Sequence, residues 1–286
     1  MSRRFMNNLR LFDVTLRDGL QSTKANMTLK QKTDLADFIY TTYKPYAMEV
    51  GSIVSPKFVP NMKDSLDVYQ YCVNKQYDTN LYMLTPNLNA LEKAKKAGVK
   101  NFSFITSVSD AFQRKNTNKT LDETKAHMKE MFKYVDVDDK VKIYISCVDE
   151  CPIDGKMSIY NISSELYFYL YNFDNIQEIC LSDTCGTLTE DSFIQLMQQI
   201  YGNCTLNRLS LHLHKNPDHN ETQAIIKRAK QMGMRHFDVC AIENMGGCSM
   251  TINTKSKLPA NIHYRDIDEE YDFFKRYMEI KDKLNK

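Results

Sequence analysis

Two histidines separated by a single residue, His212 and His214, are the side chains of this 286-residue sequence best placed to bind a metal ion. They end a short apolar run that is typical of a strand, and residues two apart on a strand face the same side. Neutral imidazole binds a metal through one nitrogen and donates a hydrogen bond through the other. The alternative is that one ring packs inside the protein while the other lies on the surface. An aspartate at the end of the first strand would favour a metal site, because two histidines and a carboxylate leave coordination positions for substrate and water.

A cysteine preceded by two glycines, Cys248 in the segment NMGGC, is the second feature that points to catalysis. The glycines permit unusual backbone angles and leave the thiol uncovered. Beside a metal ion and an imidazole, a thiol can act as a general acid or base. The alternative is a buried packing residue, which is what we expect of most of the eight cysteines, since none forms a C-x-x-C pair.

Short apolar runs alternate with helical patterns along the chain. The predicted strands are residues 11–16, 47–50, 81–84, 101–105, 141–147, 176–181, 208–214 and 236–240. The predicted helices are 28–43, 64–74, 88–97, 121–135, 162–173, 190–201, 221–232 and 267–284, the first with Thr28 as N-cap and Gln31 in a capping box. Eight such units predict an α/β fold, a closed (β/α)₈ TIM barrel, and no glycine-rich phosphate-binding motif follows the first strand. Residues 1–286 are therefore interpreted as one catalytic domain, with a long loop, 241–266, after strand eight.

Polar residues gather at the carboxyl ends of the predicted strands, where active sites of this fold lie. The first strand runs into the segment DVTLRDGLQ, residues 13–21. The second strand carries Glu49, the sixth runs into Asp183, and the seventh carries both histidines. We therefore expect side chains from four strands to meet in one cavity.

The composition excludes several classes of function. A formal net charge of +2 gives no reason to expect nucleic acid or membrane as a partner, and no apolar run approaches the roughly 20 residues that span a bilayer. Residues 1–10 are basic but too short for a transit peptide, and the C-terminal LNK is not a peroxisomal signal. We therefore expect a cytoplasmic enzyme that acts on a small molecule; whether it forms a homodimer stays open.

Several segments together resemble the 3-hydroxy-3-methylglutaryl-CoA lyase family, a branch of the DRE-TIM metallolyase superfamily. Residues 13–21 resemble the opening signature of the whole superfamily. The lyase branch is indicated by 49–62 (EVGSIVSPKFVPNM), 84–88 (LTPNL), 109–112 (SDAF) with Lys115 and Asn116, 144–147 (YISC), Cys151-Pro152, Gly155-Lys156, 182–186 (SDTCG) and 246–248 (GGC). A coincidence does not account for so many segments in one order over most of the chain.

The resemblance implies a metal-dependent carbon–carbon cleavage. Asp18, His212 and His214 would bind Mg²⁺ or Mn²⁺, which would hold the tertiary hydroxyl and a carboxylate oxygen of the substrate. The acyl-CoA substrate would split between C2 and C3 by retro-Claisen chemistry. The products would be acetoacetate and the enolate of acetyl-CoA, which must then be protonated.

The resemblance also assigns roles to other residues. Arg17 would stabilise the enolate, and Cys248 would deliver or shuttle its proton. Glu49 and Asp183 would relay protons, or else only stabilise Arg17 or backbone amides. The residues expected to contact the substrate are Gln21, Tyr144 and Lys142.

The chain departs from the family at three places. The strand-five arginine is Lys142, which cannot reproduce the two-pronged grip of arginine on a carboxylate. Lys215 adds a positive charge beside the second histidine, which we expect to weaken cation binding. The family's metal-binding asparagine falls near Lys257, and Asn253 or Asn261 would replace it only if the loop changed register. Two other functions therefore stay open: a related metal-dependent aldolase or lyase for another hydroxy acid or hydroxyacyl-CoA, and a weakly active binding barrel.

Overall fold

Eight parallel strands form a closed barrel in a computed structural model of the chain, which describes residues 9–23, 25–200, 202, 204–253 and 258–268. The strands are β1 (Arg10–Asp13), β2 (Ala47–Ser52), β3 (Asn80–Leu84), β4 (Asn101–Ser107), β5 (Lys140–Ser146), β6 (Glu150–Cys151), β7 (Gly155–Lys156), β8 (Ile176–Asp183), β9 (Leu209–Leu213) and β10 (His236–Val239). Around the barrel the order is β1-β10-β9-β8-β5-β4-β3-β2, while β6 and β7 form a separate antiparallel hairpin. The predicted TIM barrel is confirmed.

Helices connect the barrel strands, as parallel neighbours require. They are α1 (Leu29–Tyr43), α2 (Ser65–Asn74), α3 (Leu88–Lys96), α4 (Asp110–Thr117), α5 (Leu121–Phe132), α6 (Ile159–Asn172), α7 (Glu190–Ile200), α8 (His219–Met232) and α9 (Tyr264–Ile267). Among the described helices, none is both long and apolar enough to cross a bilayer.

Local capping explains where several helices begin. The predicted capping box of α1 is confirmed, because the Thr28 hydroxyl accepts the Gln31 amide while the Gln31 side chain accepts the Thr28 amide. Thr120 and Glu123 form the same arrangement at the start of α5. These reciprocal bonds satisfy amides that have no partner within the helix.

The structure differs from the predicted elements at two places near the barrel mouth. Strand β1 ends at Asp13, three residues earlier than predicted, and a π-helical turn follows over Thr15–Gly19. The cause is the Asp13 carboxylate, which accepts the Thr15 amide at 2.9 Å and the Thr15 hydroxyl at 3.0 Å. Helix α4 was not predicted; Ser109 begins it by accepting the Phe112 amide at 2.9 Å.

The final predicted helix, residues 267–284, lies outside the described residues except at its first two positions. The extension of the catalytic domain to residue 286 therefore stays a prediction.

Candidate active site

Arg17 and Asp18 reach the barrel mouth on the π-helical turn that follows β1. The Asp13 carboxylate, which shapes this turn, also accepts a hydrogen bond from the Tyr264 hydroxyl at 2.9 Å. The Thr15 hydroxyl accepts the Ala241 amide at 2.7 Å. These bonds tie the turn to the loop after β10 and to α9, so an adjacent guanidinium and carboxylate are held at the carboxyl end of the strands.

The Asp18 carboxylate meets His212, on β9, and His214, which follows that strand. The two Nε2 atoms are 3.3 Å apart, and they lie 3.8 Å (His212) and 3.9 Å (His214) from Oδ2 of Asp18. Two ligands that are each about 2.1 Å from one Mg²⁺ ion lie at most about 4.2 Å apart. The three predicted metal ligands thus lie close enough together that a single cation could contact all of them.

Each imidazole is oriented through its other nitrogen. Nδ1 of His212 donates to Oδ2 of Asp238 at 3.1 Å, and Nδ1 of His214 donates to the backbone oxygen of Asp183 at 2.7 Å. Both contacts require a proton on Nδ1, so Nε2 is the nitrogen of each ring that faces the centre and can bind a metal. Burial lowers the pKa of His214, but the neighbouring Asp18 carboxylate has the larger opposite effect, so the pKa is raised overall. A cation that binds Nε2 would displace the proton from this nitrogen.

Arg17 lies between two carboxylates. Its Nη1 donates to Oδ1 of Asp18 at 2.6 Å, and its Nε donates to Oε2 of Glu49 at 2.5 Å. The Tyr144 hydroxyl donates to the same Glu49 oxygen at 3.1 Å, and the guanidinium carbon is 5.0 Å from the centre of the Tyr144 ring. Burial opposes both charges, but the neighbouring opposite charges raise the pKa of Arg17 and hold the pKa of Asp18 well below its usual range.

Asn261 reaches the same carboxylate from the loop after β10. Its Nδ2 donates to Oδ2 of Asp18 at 2.8 Å, and its backbone amide donates to Met245 at 3.0 Å. The amide oxygen Oδ1 is buried and has no hydrogen-bond donor among the described residues. Only glycine fits at Gly246, whose φ is +95° and where a Cβ would lie 2.1 Å from Nδ2 of Asn261.

Cys248 follows Gly246 and Gly247 and lines the site. It packs against a small apolar cluster that contains Phe112, Cys147 and Cys151. Burial raises the pKa of the Cys248 thiol to about 11. The thiol is therefore protonated at neutral pH, which suits it to donate a proton.

These groups surround one cavity of about 270 Å³. Its polar wall consists mainly of Arg17, Asp18, Gln21, His212 and His214, and its apolar wall of Leu84, Ile105, Phe112, Tyr144 and Met250. Gln21 and Tyr144, both expected to contact substrate, thus lie where they can do so.

A larger groove of about 930 Å³ adjoins the cavity and shares some of its wall, including Gln21 and Lys115. It extends over the loops after β2, β3 and β4. Three of its lining residues are cationic: Lys93, Lys115 and Lys119.

The structure places Lys142 elsewhere than expected. Its side chain is fully buried inside the barrel, and its ammonium forms ion pairs with Glu178 at 2.7 Å and with Asp238. The cavity-lining residues among those described do not include it. Our expectation of a Lys142 contact with a substrate carboxylate is corrected accordingly, because the ammonium is already neutralised by two carboxylates.

The structure favours one of the two roles left open for Asp183, and it changes the expected effect of Lys215. The Asp183 side chain accepts the Thr187 and Leu188 amides at 3.1 and 3.2 Å and does not line the cavity, so the structure favours the stabilising role over the proton relay. Burial raises its pKa to about 6. The ammonium of Lys215 forms an ion pair with Asp266 at 2.7 Å. The charge of Lys215 is therefore balanced by this carboxylate, which removes the reason to expect weaker cation binding at the histidines.

Asp238 was not predicted from the sequence, and Asn261 was one of two alternatives. The sequence contained a signal for Asp238, because residues 236 and 238 lie two apart on a predicted strand and therefore share one face. The side chain of Asn253, the other alternative, lies outside the described residues.

The chain is similar to proteins of one family over nearly its whole length. The HMGL-like family matches residues 8–282. The mitochondrial hydroxymethylglutaryl-CoA lyase of Gallus gallus is 30% identical over 245 residues, which are 85% of this chain and 80% of that protein. The cytoplasmic 3-hydroxy-3-methylglutaryl-CoA lyase of Mus musculus is 29% identical over 244 residues, 84% of this chain and 68% of that protein.

The fold is also similar to that of a solved structure from the same family. The crystal structure of hydroxymethylglutaryl-CoA lyase from Pseudomonas aeruginosa superimposes with a TM-score of 0.81 at 27% identity. The match covers 91% of this chain and 83% of that one.

Proposed function

The chain belongs to the HMGL-like family, and we propose that it cleaves 3-hydroxy-3-methylglutaryl-CoA to acetoacetate and acetyl-CoA in a metal-dependent lyase reaction. The observation that carries this proposal is the convergence of Asp18, His212 and His214 beside Arg17 and Cys248 in one cavity. The tertiary hydroxyl loses its proton to water, and its oxygen becomes the ketone oxygen of acetoacetate as the C2–C3 bond breaks. The electron pair of that bond moves onto the acetyl-CoA fragment as an enolate.

Asp18, His212 and His214 would hold the divalent cation, Mg²⁺ or Mn²⁺. Their one carboxylate and two correctly oriented imidazoles suit such an ion, and the unpartnered Oδ1 of Asn261 supplies a further oxygen close by. The bound ion supplies Lewis-acid chemistry that lowers the pKa of the substrate hydroxyl. Asp18 stays ionised for this purpose because Arg17 and the histidines keep its pKa low.

Arg17 would stabilise the oxygen of the thioester as it becomes an enolate. Its guanidinium lines the cavity and is fixed by Glu49, which is itself held by the Tyr144 hydroxyl. A donor that is already oriented stabilises developing charge without reorganising during the reaction. In this scheme Glu49 positions Arg17 and does not touch the substrate.

Cys248 would then protonate the enolate carbon. Its thiol lines the cavity and keeps its proton at neutral pH because burial raises its pKa to about 11. Donation leaves a thiolate near Asp18, which must regain a proton from solvent before the next turnover. Gln21 and Tyr144 would orient the acyl group against the metal-binding face.

The adjoining groove would take the coenzyme A portion of the substrate. Lys93, Lys115 and Lys119 suit its phosphate groups, while Leu84, Pro86 and Val59 offer apolar contacts to the pantetheine arm. We propose the cytoplasm as the location, as in the name of the Mus musculus relative, although the Gallus gallus relative has a mitochondrial name. A homodimer is a separate proposal.

A panel of substrates tests the proposal against a related aldolase. Purified protein with Mn²⁺ is given 3-hydroxy-3-methylglutaryl-CoA, other 3-hydroxyacyl-CoA thioesters and free hydroxy acids, and products are measured by mass spectrometry. We expect acetoacetate and acetyl-CoA from the first compound and at least tenfold slower cleavage of the others. Faster cleavage of a free hydroxy acid would assign the cavity to the aldolase reaction.

A further inference from the structure

A buried row of ionisable side chains runs through the barrel towards the proposed metal site. His236 contacts Glu178 at 2.8 Å, Glu178 pairs with Lys142 at 2.7 Å, and Lys142 pairs with Asp238. Asp238 in turn accepts the Nδ1 proton of His212 at 3.1 Å. The row therefore ends on a residue that we have proposed as a metal ligand.

The members of the row come from four neighbouring strands. Lys142 lies on β5, Glu178 on β8, His212 on β9, and both His236 and Asp238 on β10. All five side chains are buried, and Lys142 also lies 3.6 Å from the centre of the Phe12 ring. Because strands fix the backbone of each member, the side chains have little freedom to exchange partners.

Lys142 determines how Asp238 is oriented. Burial disfavours the charges of Lys142 and Glu178, yet the two carboxylates raise the pKa of Lys142, and Lys142 with His236 lowers the pKa of Glu178. Removing the ammonium would leave two buried carboxylates without compensation, which is strongly unfavourable. With one oxygen of Asp238 held by Lys142, the other is directed at His212.

We propose that Asp238 is a positioning residue of the metal site, which holds His212 with Nδ1 protonated and Nε2 free, and that Lys142 fixes Asp238 for this task. The proposal rests on the metal site proposed above. An acceptor on the second nitrogen fixes the tautomer and the ring orientation of a metal-binding histidine, and its loss typically weakens metal affinity about 10–100-fold. Asparagine at this position cannot serve both neighbours, because its amide group offers only one accepting oxygen.

Asp238→Asn and Glu178→Gln form a matched pair of variants. Each removes one buried carboxylate from Lys142, but only Asp238 contacts His212. We expect Mn²⁺ affinity, measured by calorimetric titration, to fall about 10–100-fold in Asp238→Asn. Glu178→Gln should stay within about threefold of wild type. Equal losses in both variants would show that the row only stabilises the barrel and would overturn the proposal.

A second measurement is made on the unaltered protein and needs neither Asp238→Asn nor Glu178→Gln. Long-range ¹H–¹⁵N correlation spectra of metal-free protein report the tautomer of each histidine, with His212 assigned by its absence in His212→Gln. We expect Nδ1 of His212 to carry a proton, because it faces the Asp238 carboxylate. A His212 without a proton on Nδ1 would overturn the proposal, whereas failure to release acetoacetate would overturn the proposed function and leave this tautomer result standing.

Discussion

Replacement of Asn261 by alanine tests whether the loop after β10 completes the metal site. The Asn261 side chain is buried, its Nδ2 lies 2.8 Å from Oδ2 of Asp18, and its Oδ1 has no donor among the described residues. Rotation of the amide by 180° would exchange these atoms and put the oxygen 2.8 Å from a proposed ligand atom. That spacing is close to the roughly 3 Å expected between adjacent ligands at about 2.1 Å from one ion.

The size of the effect follows from the unpartnered oxygen. A buried acceptor without a partner costs about 1–3 kcal/mol, and binding a cation recovers this free energy. Alanine has no oxygen to contribute, so the Mn²⁺ affinity of Asn261→Ala should fall about 5- to 150-fold, at about 1.4 kcal/mol for each tenfold change.

Three variants should be titrated with Mn²⁺ in parallel by calorimetry. Asn261→Asp, which retains an oxygen, should bind at least as tightly as Asn261→Ala. Asn253→Ala tests the alternative that the sequence left open, and we expect wild-type affinity. If Asn261→Ala binds Mn²⁺ within twofold of wild type, the amide is not a ligand. If Asn253→Ala alone is impaired, the loop supplies the other asparagine.

Three further predictions concern single residues. Cys248→Ser should bind Mn²⁺ normally but lose about 10²–10⁴-fold in turnover, because a hydroxyl is a far weaker acid than the thiol; near-normal turnover would make Cys248 a packing residue. Gly246→Ala should lose Mn²⁺ affinity because its Cβ would displace Asn261, whereas Gly98→Ala, with φ +84° and open space around it, should cost stability alone. Burial raises the pKa of Asp13 from 3.8 to about 7. Between these pH values the folded protein therefore binds more protons than the unfolded chain. The free energy of unfolding consequently falls as the pH rises from 3.8 to about 7, by at most about 1.4 kcal/mol per pH unit. Between pH 5 and pH 8, the free energy of unfolding in urea should therefore decrease less in Asp13→Asn than in wild type. Equal decreases in the two proteins would assign the pH dependence to other groups.

Local sequence signals predicted most of the barrel, because strand and helix patterns depend on near neighbours. The capping box at Thr28 is one example, and the alternation that places His212 and His214 on one face is another. The early end of β1 was missed because it depends on Asp13 bending the chain and on a distant hydroxyl, that of Tyr264.

Depth inside the barrel could not be predicted from strand alternation. Lys142 and Tyr144 face the same side of β5, but they are two positions apart and therefore about 6.6 Å apart along the strand. Tyr144 therefore reaches the cavity, while Lys142 lies below it among carboxylates of other strands.

The position of Asn261 depends on contacts between distant segments. It forms a bridge with His214, and its neighbours complete the pairing, since the Lys215 amide donates to Ala260 and the Ile262 amide donates to Leu213. Counting residues from Cys248 instead pointed to Lys257, because the length of this loop differs from that expected from the family resemblance.

The most direct test of the central claim is the metal-dependent release of products from 3-hydroxy-3-methylglutaryl-CoA. Acetoacetate and acetyl-CoA are quantified over time with wild type and His214→Ala, after chelation and after Mn²⁺ is restored. We predict equimolar products from wild type with Mn²⁺, none after chelation, and at least a hundredfold slower release from His214→Ala. Wild type that binds one Mn²⁺ but releases neither product, or His214→Ala that matches wild type, would rule out metal-dependent cleavage at this site.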